Sequence, residues 1–158
     1  MTENLHLVAY CGVYCGLCAH RNRIPRRAAA LRESMRNGGW DVWSKDFPHF
    51  HDFWIYLNDV ADSEARCSCR AGQCGPPFCG IRKCAPKKGV DACPFCPEYP
   101  CAKILGIAKG YVTMLADGRR MKDIGIDAWI QEQEERKKTG FAYADVRVLP
   151  YEIPDGEA

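Results

Sequence analysis

The cysteines constrain this chain more than any other feature. Eleven of the 158 residues are Cys, in two packets: Cys11, Cys15 and Cys18 near the start, then eight between Cys67 and Cys101. In the second packet, CSCRAGQCGPPFCGIRKCAPKKGVDACPFCPEYPC, 8 of 35 positions are Cys and 10 are Pro or Gly, which leaves few apolar side chains to bury. Such a stretch cannot offset its conformational entropy by hydrophobic burial. Thiolates converging on a soft cation are the alternative. The ligand set scarcely exists in the unfolded chain, so binding free energy becomes folding free energy. Without metal this segment is expected to be disordered.

The rest of the chain is ordinary by comparison. A domain of this length buries roughly 68–70% of its unfolded surface, so metal staples one region and not the whole. No apolar run reaches the ~18 residues a membrane helix needs. The first residues carry Glu3 and His6 where a secretory signal has bases. A reducing, cytoplasmic compartment is therefore expected, in which clustered thiols read as metal ligands or redox groups, not disulfides. The odd count agrees, since eleven cannot all pair. Between residues 66 and 103 seven bases (Arg66, Arg70, Arg82, Lys83, Lys87, Lys88, Lys103) face only Asp91 and Glu98. A dication held by four thiolates carries about −2 overall, so these cations read mainly as counter-charges.

Four helical stretches are visible. One runs from about Arg26 to Arg36, with Pro25 in its first turn, Gly38 as its stop and a thin apolar stripe of Ala28, Leu31 and Met35. Six arginines lie between Arg21 and Arg36. A solvated helix face explains such a run better than phosphate contact, and nucleic acid is not expected as a partner. A second helix puts Phe50, Phe53, Trp54, Leu57, Val60 and Ala61 on one face, with Pro48 in its first turn. His49 and His51 flank its start and read as partly buried structural residues rather than ligands. A third starts at Pro100 and repeats Cys101, Ile104, Leu105, Ala108, Val112 and Leu115, weakened by Gly106 and Gly110. The fourth, DAWIQEQEERKK, takes Asp127 as cap, turns Ile126, Trp129 and Ile130 inward, and pairs Glu132 with Arg136 and Glu134 with Lys138. The tail, 141–158, reads as extended, with a short alternating stretch from Val146 to Leu149.

Cys93-Pro-Phe-Cys96 puts two sulfurs on one side of a tight turn and, with Cys101 and the other five, is a strong metal signal. The same four residues spell a thioredoxin-like C-P-x-C, but no preceding βα arrangement is visible. Cys11-x3-Cys15-x2-Cys18 has the spacing of radical-SAM clusters, in a chain shorter than the ~200 residues of a small (β/α) barrel. Sets of three and four cysteines suit both zinc and iron–sulfur ligation. The ferredoxin run C-x2-C-x2-C-x3-C is absent, and zinc is favoured. Hydrolytic zinc would call for a His-rich set with an open position, whereas eleven thiols point to closed structural sites.

The strings Y-C-G-x-Y-C-x-x-C (Tyr10 to Cys18), C-G-I-R-K-C-A (Cys79 to Ala85), K-G-V-x-x-C-x-x-C-P-E-Y-P-C (Lys88 to Cys101) and I-G-I-D-A-W-I-Q-E-Q-E-E-R (Ile124 to Arg136) together resemble the small cysteine-rich proteins grouped as domain of unknown function 3795. The resemblance spans about residues 8 to 138 and implies a zinc-binding protein with no assigned activity. Carried over position by position, it makes Cys11, Cys15, Cys18, Cys67, Cys69, Cys79, Cys84, Cys93, Cys96 and Cys101 the metal ligands, with Cys74 additional. The family's second pair usually encloses two residues, whereas Cys67 and Cys69 enclose one.

The expectation is one mainly α domain over residues 1–158, with a small α+β arrangement as the variant, whose irregular lobe at 67–101 is stapled by about two zinc ions. At least one site draws sulfur from both packets. The function expected is a non-catalytic binding or adaptor module with a protein partner, and no oligomeric state follows from the sequence. An iron–sulfur or thiol redox protein is the alternative.

Overall fold

The structure, a computed structural model, describes residues 4–63, 68–72, 75 and 77–147. Cys67, Cys74 and the end of the tail from residue 148, including half of the Val146–Leu149 alternation, lie outside the described residues. The described chain is mainly α: α1 Arg23–Asn37, α2 Trp40–Trp43, α3 Phe50–Ala61, α4 Gly80–Lys87, α5 Ala102–Ala108, α6 Met114–Ile124 and α7 Ile126–Lys138. Short 3-10 turns and two isolated antiparallel bridges, Val8 with Tyr14 and Tyr111 with Arg147, complete it. None of these helices is long and apolar enough to cross a membrane. The chain falls into two compact units, one formed by residues 1–18 with 68–158 and the other by residues 19–67.

The larger unit has its core around Trp129, which α7 buries completely together with Ile130. Leu7, Val8, Tyr14, Leu17, Met121 and Tyr143 close over it, and Tyr14 meets Trp129 edge-on at 5.9 Å. Aromatic rings favour this T-shaped contact because a ring's positive edge meets the other's negative face. The Tyr14 backbone N–H donates to the Tyr143 hydroxyl at 3.1 Å, and the Tyr14 hydroxyl donates to Glu134. Upstream, Ala9 N–H donates to Val13 O at 2.8 Å, closing a tight hairpin whose Gly12 has φ +91°. Only glycine adopts that conformation without strain, and Pro94 packs on its open side.

In this unit the helix expected from Pro100 through Leu115 is two helices. It stops at Ala108, and the chain is extended at Tyr111, which bridges to Arg147 and lies under that guanidinium at 4.9 Å. The long-range pairing outweighs the helical pattern, as the two glycines make continuation costly. The expected i,i+4 pairs on α7 do not form. Arg136 turns instead to Asp117 of α6 at 3.0 Å, stacks on Phe141 at 4.3 Å, and Glu132 pairs with Arg120. Asp117 is only 16% exposed, and a sheltered pair is screened less than one along the helix surface. Asp127 sits in the first turn of α7, while Gly125 holds the cap position.

The smaller unit is an antiparallel helical hairpin. Arg32 of α1 pairs with Asp62 at 2.9 Å, and Arg36, one turn on, reaches Asn58 and lies over the Trp54 ring at 5.8 Å. α1 ends at Gly38 as its sequence requires, and Gly39, at φ +72°, turns the chain into α2. The side of α1 that is buried differs from the expected stripe. Pro25 is buried, whereas Leu31 is 47% exposed. On α3, Phe50, Leu57 and Ala61 are buried, but Phe53 is exposed and Pro48 precedes the helix. His49 and His51 are exposed, not partly buried, and His49 takes the left-handed cap at φ +63°.

Gly118 on α6 faces Tyr99 so closely that a Cβ would overlap its hydroxyl. Gly118→Ala is expected to lower stability by about 1–3 kcal/mol, the usual range for overpacking. Chemical denaturation checks this, and an unchanged midpoint would show that Tyr99 is loosely held.

Candidate metal centre

The second packet gains its shape from α4 and from polar ties to the first packet. Cys79 caps α4, and Cys84 lies on it. After Lys87 the chain turns through Gly89 and reaches a 3-10 turn, Cys93–Phe95, with Cys96 directly after it. Cys93 N–H donates to Tyr10 O at 2.7 Å, which sets this turn beside Cys11. Cys101 caps α5. Cys93 thus opens a 3-10 turn and not the α-helix that a thioredoxin-like C-P-x-C needs.

Cys84, Cys93, Cys96 and Cys101 line one cavity of about 280 Å³, closed by Ile81, Ala85, Val90 and Ile104 and edged by Tyr99 and Lys88. Burial pushes the Cys93 thiol up to about 12, and Cys101, Cys84, Cys96 and Cys79 add to that shift because thiolates so close together repel. A second group surrounds Cys11. Burial raises its pKa above the ordinary thiol range, against a hydrogen bond from the Val13 backbone, and Cys69, Cys93 and Cys15 raise it further. Cys93 is common to both groups. Cys15 opens a 3-10 turn in the core, and Cys18, which follows that turn half-buried, is not placed in either group. Each of the nine described cysteines carries a thiol rather than a disulfide. As the side chains stand, no group of three or more His, Cys, Asp or Glu among the described residues is gathered into a shell able to hold an ion.

Arg70 was legible in the sequence only as a counter-charge, but it does something more specific. Its Nε donates to Val8 O at 2.6 Å, another guanidinium N–H donates to Asp91 O, and the group lies 4.5 Å from the Tyr10 ring centre. One side chain therefore joins three segments of the site. Arg82 approaches Cys69 Sγ at 4.0 Å. Lys88 pairs with Glu98, and that bond, with the nearby Cys96 and Cys84, raises its pKa. Of the expected counter-charges, then, Arg82 approaches sulfur, Lys88 pairs with the Glu98 carboxylate near Cys96 and Cys84, and Arg70 faces carbonyl oxygens and a ring. The Tyr99 hydroxyl is buried with no hydrogen-bond partner among the described residues. The sequence shows Arg70 only as a charge and Tyr99 only as part of the P-E-Y-P-C string; neither lies on a periodic face that would announce its contacts.

The sequence model of the family described as "Protein of unknown function (DUF3795)" matches residues 7–106, and the chain belongs to that family. The match takes in both packets and α1 to α5 nearly to its end, and leaves out α6 and α7, so the resemblance drawn from Ile124 to Arg136 lies beyond it. No curated protein and no solved structure matches the chain.

Arg70→Ala removes two hydrogen bonds and a ring contact, so a loss of about 2 kcal/mol is expected. Arg70→Lys should restore only part of it, because an ammonium cannot reach two carbonyls and a ring face at once. Equilibrium unfolding of the three proteins makes the comparison, and a fully rescuing lysine would reduce the guanidinium to a plain charge.

Proposed function

We propose that the chain is a zinc-stapled, non-catalytic binding module, with Cys84, Cys93, Cys96 and Cys101 as one ligand set. The observation that carries this reading is their convergence on a single cavity with otherwise apolar walls. Desolvation and neighbouring sulfurs make the Cys93 thiol resist ionisation, and a soft dication reverses both penalties by neutralising the thiolate it binds. Lys88 lies where the surplus negative charge of a four-thiolate site would fall. Ion binding would draw the four sulfurs together from the cavity wall. The grouping of Cys11 with Cys15, Cys69 and Cys93 supports a second set that includes sulfur from both packets. Four thiolates fill a tetrahedral shell and leave no position for substrate, which favours recognition over turnover.

The test is metal content. Protein prepared without added ions is expected to carry about two zinc per chain, and Cys101→Ser to lose about one of them together with part of its thermal stability. Wild-type protein in which residues 67–101 are ordered with no zinc bound overturns the proposal. So does brown protein with about four iron per chain and absorption near ~400 nm, which would make the centre an iron–sulfur cluster.

A further inference from the structure

The backbone clamps Cys93 in place. Its N–H donates to Tyr10 O at 2.7 Å, and its carbonyl accepts from Cys96 N–H at 2.9 Å. The residues on either side of it, Ala92 and Pro94, are both buried, and Pro94 packs over Gly12 and Gly118. Cys96 and Cys101 are set differently, since Phe95 and Pro97 beside the one, and Pro100 and Ala102 beside the other, are exposed. Those two sulfurs have room to move toward Cys93, whereas Cys93 is held where it stands.

Two sets of sulfur meet at this fixed point. On one side Cys84, Cys96 and Cys101 line the cavity together with Cys93. On the other, the bond to Tyr10 and the contact of Pro94 with Gly12 bring Cys93 beside Cys11. The Cys11 side chain packs against both apolar clusters of the unit: the Trp129 cluster, where Cys15 and Cys69 lie, and that of Ile81, Ile104 and Met114, where Cys93 and Cys101 lie. Burial comes first in raising the pKa of both thiols, and the sulfurs that add to it divide the same way, Cys69, Cys93 and Cys15 acting on Cys11, and Cys101, Cys84, Cys96 and Cys79 on Cys93. Cys79 caps α4 and does not line the cavity. Two four-sulfur sites therefore draw on Cys11, Cys15 and Cys69 on one side, on Cys84, Cys96 and Cys101 on the other, and on Cys93 for both.

On the zinc-stapled reading above, we infer that Cys93 is a bridging ligand, its one sulfur binding two zinc ions and joining the cavity site and the Cys11 site into a single binuclear centre. A thiolate is soft and has lone pairs for two cations at once. Sharing it also lowers the buried charge, because seven thiolates around two dications leave about −3, where two separate four-thiolate sites leave about −4. Desolvated charge is costly, and Lys88 at the cavity edge is already paired with Glu98, so the smaller charge is the better matched. Each thiol gives up its proton to solvent as it binds, Cys93 releasing one proton for two ions. The first packet is then tied to the second through the metals themselves, and the two ions stand or fall on one side chain.

The decisive test is cadmium NMR of the full-length chain loaded with a single spin-active cadmium isotope in place of zinc. Two cadmium nuclei on one sulfur split each other's signals, whereas ions in separate sites do not. A mutually coupled pair of resonances, both in the range of four-sulfur coordination, is expected. An uncoupled pair overturns the bridge and leaves the zinc-stapled reading standing, while a chain that retains neither cadmium nor zinc overturns both. Substitution gives a second readout. Cys101→Ser and Cys69→Ser each remove a ligand from one site and should each leave about one zinc per chain, whereas Cys93→Ser should lose about two, nearly all of its metal. A Cys93→Ser chain that keeps about one zinc overturns the inference. Should that variant lose its fold along with its metal, the cadmium spectrum of the unsubstituted chain still decides the question.

Discussion

Desolvated sulfur is the constraint on which the larger unit turns. A thiol buried among other thiols is neutral, and neutrality suits burial. Cys93 as a thiolate would be desolvated and set beside other sulfurs at a cavity walled by Ile81, Ala85, Val90 and Ile104. The packing around Cys93 and Cys11 therefore suits a protonated or cation-bound sulfur and disfavours a bare thiolate. That balance couples the site to its surroundings. Anything that holds Cys93 beside Cys11, above all the bond from Cys93 N–H to Tyr10 O and the reach of Arg70 to Val8 and Asp91, also fixes how much sulfur is gathered. In a segment rich in Gly and Pro, backbone carbonyls are the abundant acceptors, and one guanidinium can use several where a longer apolar segment would have used burial.

How far the sequence discloses the architecture depends on the kind of signal. α1 and α7 are legible because their periodicity and stops are local, with Gly38 ending one and a run of helix-favouring residues sustaining the other. The break between α5 and α6 is not legible from periodicity, since the apolar spacing runs on through Val112 and Leu115. What decides it is Tyr111 pairing with Arg147, a partner 36 positions away. The ion pairs of α7 fail for a related reason. Sequence shows which charges are four residues apart, but not that Asp117 offers Arg136 a more sheltered partner. For the site, Cys spacing identifies the sulfurs, while their division around a cavity and around Cys11 arises from turns whose positions no repeat announces.

The bases of the second packet show why net charge is a blunt guide. Counted together they resemble a nucleic-acid patch, and counted against thiolates they resemble counter-ions. In place they divide: Arg82 approaches sulfur, Lys88 pairs with Glu98, and Arg70 is consumed by carbonyl oxygens and an aromatic face. A guanidinium held in that way contributes shape more than potential. The field left for a partner is correspondingly smaller than the sequence sum.

The two units reach stability by different means, and that difference bears on what the protein does. The larger unit encloses Trp129 and Tyr14, and of its large hydrophobics only Phe78, Phe95, Leu105 and Val112 are exposed among the described residues. The smaller unit packs one helix pair through Phe50, Leu57 and Ala61, and leaves Trp43, Phe47 and Tyr56 outward. A core of that size is marginal by itself, because small units bury too little of their own surface. Apolar side chains that a two-helix unit cannot enclose gain by enclosure elsewhere. Binding would then do for the smaller unit what sulfur does for the larger, completing a fold that the apolar residues of the segment cannot complete alone.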